Sequence, residues 1–135
     1  MRYLLDTNIL SDIVRHPRGP AAIRVASAED GSICTSVIVA AELHYGIEKK
    51  GSLRLASQLK AVLEGIEVLP LEQPADSAYG ILRAALERAG RLIGPNDLLI
   101  AAQALTLDLT LVTANEDEFR RVKGLRVENW LGTEG

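Results

Sequence analysis

Leu4-Leu5-Asp6-Thr7-Asn8-Ile9-Leu10 is the stretch on which the fold turns. Two leucines form a short apolar run that stops at an acid, the pattern of a buried strand. Thr7 or Asp6 then caps a helix running through Ile9, Leu10, Ile13 and Val14, until His16-Pro17-Arg18-Gly19-Pro20 breaks it.

The same alternation continues outward from this unit. A second short helix is expected over 21–28, ended by the turn Glu29-Asp30-Gly31, with a strand over 32–35 after it. Ser36 is placed to cap a helix over 37–49, which Gly51 closes as a C-terminal glycine. Leu53, Leu55, Leu59, Val62 and Leu63 recur at helical spacing, and a strand is expected over 66–69. Pro70 and Pro74 bracket a loop before an alanine-rich helix over 75–89. Pro95 starts a helix to 105 as a first-turn proline. A strand over 110–113, a short helix over 116–121 and a last strand over 126–128 complete the chain, with no repeat or linker. Residues 1–135 therefore read as one α/β domain: a three-layer α/β/α sandwich around a central parallel sheet. Right-handed crossovers gather the strand ends on one edge, and such sheets bind ligands there, where the strand order reverses. Asp6 and Thr113 both fall at that edge.

Composition narrows the class. A chain of 135 residues, 47% apolar and 24% charged, describes an ordinary globular domain. With only 4% aromatic residues, the core must be aliphatic. The lone Cys34 excludes an internal disulfide and multi-cysteine zinc sites; its apolar setting reads as a small buried hydrophobe. No stretch approaches the ~20 apolar residues of a membrane span. The N-terminus meets Asp6 too early for a signal peptide, so a cytoplasmic setting is expected. A net charge of −3 does not advertise nucleic acid, although acids converging at one site with bases around it would hide such a footprint.

Each acid has its own competing roles. Asp6 suits a helix cap and equally a metal ligand after a buried strand, with Thr7 and Asn8 beside it to hold its carboxylate or meet a phosphate. Glu42 lies in Val37-Ile38-Val39-Ala40-Ala41-Glu42-Leu43-His44-Tyr45-Gly46-Ile47, flanked at helical spacing by Ile38, Val39 and Tyr45. An acid among such neighbours is costly unless paired or bound to metal. His44 is a lone histidine and reads as packed or surface-exposed. Asp97 stands in the first turn of an apolar helix, where the dipole favours an acid. Asn115 and Glu118 have the spacing of a capping box, which competes with a catalytic reading of Glu118.

Carboxylates crowded together repel and bind protons more tightly unless a cation neutralises them. With no histidine or cysteine array, an all-oxygen set favours Mg²⁺ or Mn²⁺ over zinc. Such an ion suits hydrolysis of a phosphodiester.

Taken in order, Leu4 to Leu10, Ala41-Glu42-Leu43 with Gly46, Gly94-Pro95-Asn96-Asp97 with Ile100-Ala101-Ala102, and Val112-Thr113-Ala114-Asn115 before Glu118-Phe119 resemble the successive motifs of PIN-domain nucleases. More narrowly, the chain resembles VapC toxins of toxin–antitoxin pairs, including its ending Gly124-Leu125-Arg126-Val127-Glu128-Asn129-Trp130. The resemblance covers essentially the whole chain. It implies a Mg²⁺- or Mn²⁺-dependent endoribonuclease leaving 5′-phosphate ends. Asp6, Glu42 and Asp97 match the family's acidic positions, Glu42 acting on the metal directly or through a water. Asn115 stands where the family often has Asp, which shifts the fourth acidic role to Glu118 through a water, with Thr113 helping to order the site. A homodimer, a VapB-type antitoxin whose tail occupies the groove beside the acids, and an RNA substrate, transfer RNA first, are also implied.

Other classes fit less well. A receiver domain wants adjacent acids after the first strand and a lysine after the last, and neither is present. A haloacid-dehalogenase-type phosphatase wants Asp where Asn8 stands. A catalytically silent PIN module acting only as a protein-binding domain is disfavoured by the retained acids.

Overall fold

The computed structural model describes residues 1–131; the final residues of the domain read over 1–135 lie outside them. A central strand, β1 (Tyr3–Leu5), opens the chain, with Leu4 and Leu5 fully buried. Asp6 caps α1 (Thr7–Arg15), whose Ile9, Leu10, Ile13 and Val14 enter the core. Then follow α2 (Pro20–Ser27), β2 (Ile33–Ser36), α3 (Val37–Lys50), α4 (Leu53–Glu64) and β3 (Glu67–Leu69). The second half holds α5 (Ala75–Arg88), α6 (Pro95–Thr106), β4 (Thr110–Val112), α7 (Glu116–Phe119) and β5 (Val127–Glu128).

The five strands are parallel, in the order β3-β2-β1-β4-β5. The chain winds outward from β1 to β3, then crosses back to β4 on the other side of β1. Right-handed connections therefore place α1 to α4 on one face and α5 to α7 on the other, and α1 packs on α3 and α4 while α5 packs on α6. Covered on both faces, β4 is buried at every position from Thr110 to Val112, and β1 at Leu4 and Leu5, rather than alternately. Reversal of direction at β1 makes the cleft between the ends of β1 and β4 the switch point of the sheet.

Local chemistry fixes the helix ends. Ser36 Oγ accepts the Ile38 N–H at 3.0 Å to start α3, and Gly51 ends it at φ 68°, a left-handed turn that glycine adopts without strain. Pro95 opens α6, which then buries Leu98 and every residue from Ile100 to Ala104. Gln103, buried in that run, donates from Nε2 to the Pro70 carbonyl at 3.0 Å, tying α6 to the end of β3. Cys34 is buried and its Sγ donates to the Tyr3 carbonyl at 3.4 Å; burial, outweighing Arg2, pushes the thiol up to about 11. It is the small hydrophobe its setting implied. Several elements are shorter than expected: α7 stops at Phe119 rather than 121, α5 at Arg88 rather than 89 and β4 at Val112 rather than 113, while β3 starts at Glu67 rather than 66 and β5 at Val127 rather than 126.

Candidate active site at the switch point

Four acids arrive at the C-terminal edge of the sheet from separate elements. Asp6 follows β1, Glu42 projects from α3, Asp97 sits in the first turn of α6 and Glu118 in α7. Asp6 is the most deeply placed, only 2% exposed. Its Oδ1 accepts the Thr7 backbone N–H at 2.8 Å, and its Oδ2 accepts the Thr113 hydroxyl at 2.7 Å. It thus serves as helix cap and as a fixed acid of the site together. Burial raises its pKa; the bonds from Thr113 and Thr7 oppose that, and the charges of Glu42 and Glu118 add to it.

Thr113, directly after β4, links two strand ends through that bond to Asp6, directly after β1, and its Oγ1 also accepts the Asn115 backbone N–H at 3.0 Å. Asn8 works alongside: its Oδ1 accepts the Ala114 N–H at 2.9 Å, holding the start of α1 to the loop after β4. Thr7 reaches the other way, donating from Oγ1 to Glu42 Oε1 at 2.5 Å.

Glu42 departs from its expected surroundings. The helical pattern placed it among apolar neighbours, yet Tyr45 is 67% exposed and Glu42 itself is half-buried, facing α1 and α6. Its partners are polar: the Thr7 hydroxyl, and the Asn96 amide, whose Nδ2 donates to Oε2 at 3.4 Å. His44 is exposed.

Asp97 lies against Glu118, and two carboxyl groups so close favour retention of a proton on Asp97. Burial, then the bond to Glu118, then the charges of Glu118, Asp6 and Glu42 push Asp97 up to about 8. The Gly94 N–H donates to Glu118 Oε1 at 3.4 Å. This overturns the capping-box reading of Asn115 and Glu118. Asn115 makes no side-chain cap bond, its side chain is exposed, and Glu118 turns away from its own helix towards α6. A helix this short presents little to cap, and the charge-rich partners lie across the cleft.

Asn96 and Gly94 join the site without having been expected there. Both belong to the Gly94-Pro95-Asn96-Asp97 stretch, and an amide in the first turn before an acid was the available signal. Gly94 also stands close to the acids: a side chain there would begin 3.7 Å from Asp97 Oδ2.

Among the described residues no three His, Cys, Asp or Glu side chains form a closed ligand set. The acids instead share one electrostatic field with their oxygens held by Thr7, Thr113, Asn96 and Gly94. An all-oxygen donor set in which neighbouring acids push the Asp97 pKa up fits a hard divalent cation.

Comparison with known proteins places the whole chain. The PIN domain family matches residues 3–125. Ribonuclease VapC2 of Rickettsia felis is 41% identical over 132 residues, covering 96% of this chain and 98% of its own. The tRNA(fMet)-specific endonuclease VapC of Shigella flexneri is 38% identical over 135 residues, with the same coverage of 96% and 98%. The structure of VapBC2 from Rickettsia felis bound to a DNA fragment from their promoter superposes with a TM-score of 0.89 at 37% identity, covering 96% of this chain and 99% of that one.

Proposed function

The chain belongs to the PIN-domain family, among its VapC ribonucleases, and on that premise we propose that it is an endoribonuclease toxin dependent on Mg²⁺ or Mn²⁺. The observation that carries this reading is the convergence of Asp6, Glu42, Asp97 and Glu118 at the switch point, with Asp97 driven up to about 8. Asp6 and Asp97 would hold the ion directly, and Glu42 and Glu118 directly or through water. Bound there, the ion supplies neutralisation of the acids, orientation of a water and stabilisation of charge on the phosphodiester.

The protein's own share is positioning. Thr113 and the Thr7 N–H fix both oxygens of Asp6, so its carboxylate cannot rotate away from the cleft. Thr7 and Asn96 do the same for Glu42 from opposite layers of the sandwich. Asp97, pushed up by burial and by Glu118 beside it, holds a proton more tightly than an ordinary carboxyl, and a bound cation would oppose that shift.

By analogy with the names borne by its relatives, transfer RNA is the first substrate to examine, and a VapB-type antitoxin is the proposed partner. A homodimer and a cytoplasmic location belong to the same proposal. No helix among the described residues is long and apolar enough to cross a membrane. The receiver-like alternative loses support at β3, which runs into Pro70 where a phospho-accepting acid would be needed.

The decisive experiment incubates purified protein with transfer RNA in Mg²⁺ and compares it with Asp6→Asn. Cleavage by the parent, at least ~1000-fold reduced in a variant with unchanged circular dichroism, is expected for loss of an acid that acts at the reacting charge. Equal cleavage by both would overturn the assignment.

A further inference from the structure

Four acids at one edge leave open how an equally negative RNA backbone is retained there. A divalent ion answers for the phosphate being cleaved, whereas the neighbouring phosphates need a cation belonging to the protein. A cavity beside the acids is lined by Ala114, Asn115, Glu116, Asp117, Glu118 and Arg121, and Arg121 is its basic side chain.

The surrounding charges leave Arg121 available. Its neighbour Arg120 is consumed by Glu116 at 2.7 Å, and the other Glu116 oxygen accepts from Asn129 at 3.1 Å. Asp117 is exposed. Among the described residues Arg121 makes no ion pair with any carboxylate. Its side-chain hydrogen bond runs from Nη1 to the Leu92 carbonyl at 3.2 Å, which steadies the guanidinium beside the 90–94 loop while leaving its remaining donors free. That loop is the one whose Gly94 N–H bonds Glu118, so the cation is held in register with the acids.

We infer that Arg121 is a substrate-binding residue that grips an RNA phosphate next to the cleaved one. A guanidinium is suited to this because its planar fork meets two phosphate oxygens at once, without the pKa adjustment an ammonium undergoes. The inference rests on the proposed ribonuclease reading.

Its test measures kcat/KM for transfer RNA cleavage in Mg²⁺ over a series of KCl concentrations, for the parent, Arg121→Gln and Arg121→Lys. Loss of a charge-assisted bidentate contact should lower kcat/KM roughly 10- to 100-fold in Arg121→Gln, mainly through KM. The slope of log kcat/KM against log salt should become shallower by about 0.7–0.9. Arg121→Lys should keep the parent slope and lose less activity. A parent slope in Arg121→Gln, even with slower cleavage, would reduce Arg121 to a clamp on Leu92 and overturn the inference. The parent protein tests the ribonuclease reading separately: if it leaves RNA intact, that reading falls and this one with it.

Discussion

Replacing Asp97 with asparagine should make the metal-free protein more stable at alkaline pH while abolishing its chemistry. Asp97 is held up to about 8 from an ordinary value near 3.8, first by burial and then by Glu118. A folded-state pKa above the unfolded one means that the native protein binds more protons than the unfolded chain across that interval. Stability therefore falls as pH rises from about 4 to about 8, and levels off beyond. In full, that displacement corresponds to about 6 kcal/mol. Asp97 is only half-buried, however, and solvent screening reduces the figure to about 1–3 kcal/mol. Asparagine is an uncharged isostere whose amide can donate to the Glu118 carboxylate, so the Asp97→Asn variant loses the repulsion and keeps the contact. Urea unfolding in EDTA at pH 5.5 and pH 8.5 measures the effect. The variant should exceed the parent by about 1–3 kcal/mol at pH 8.5, roughly 3–9 °C in Tm for a domain of this size, with a smaller gap at pH 5.5. Adding Mg²⁺ should close the gap, since binding at 100 times Kd stabilises the parent by about 2.7 kcal/mol. A variant no more stable than the parent at pH 8.5 would refute the claim that Asp97 bears the strain of the acid cluster.

The threonine and the fourth acid give two further outcomes. Thr113→Val preserves volume but leaves Asp6 Oδ2 buried without its donor; it should cost about 1.5–3 kcal/mol in urea unfolding and raise the pH at which activity sets in, because the Asp6 pKa moves further up. Glu118→Gln should depress RNA cleavage at saturating Mg²⁺ well beyond Asn115→Ala, with neither variant less stable than the parent, since Glu118 faces Asp97 and Asn115 caps nothing; equal activity losses that track lost stability would restore the capping explanation.

Wherever local spacing decides the answer, the fold was legible in advance. The leucine pair before Asp6, the serine before α3, Gly51 after it and Pro95 at the head of α6 each act within a turn of their own backbone. Ends of elements drifted by a residue or two because fraying there is set by tertiary contacts. The site was harder. For Glu42, helical periodicity reports neighbours on α3 alone, and its actual partners come from α1 and α6. For Glu118, cap spacing and cleft-facing acid are the same string of letters, and only the approach of Gly94 and Asp97 separates them.

The sequence by itself determined the order of strands and helices, and hence the edge of the sheet at which Asp6 and Thr113 must end. Burial of short apolar strands on both faces and right-handed crossovers leave few other solutions. Only the tertiary structure decided which oxygens are restrained, that Asp97 is pushed up beside Glu118, and that Arg121 next to them makes no ion pair among the described residues. Those depend on contacts between residues as far apart as Asp6 and Thr113, where electrostatics in a shared cleft, rather than local propensity, sets each group's state.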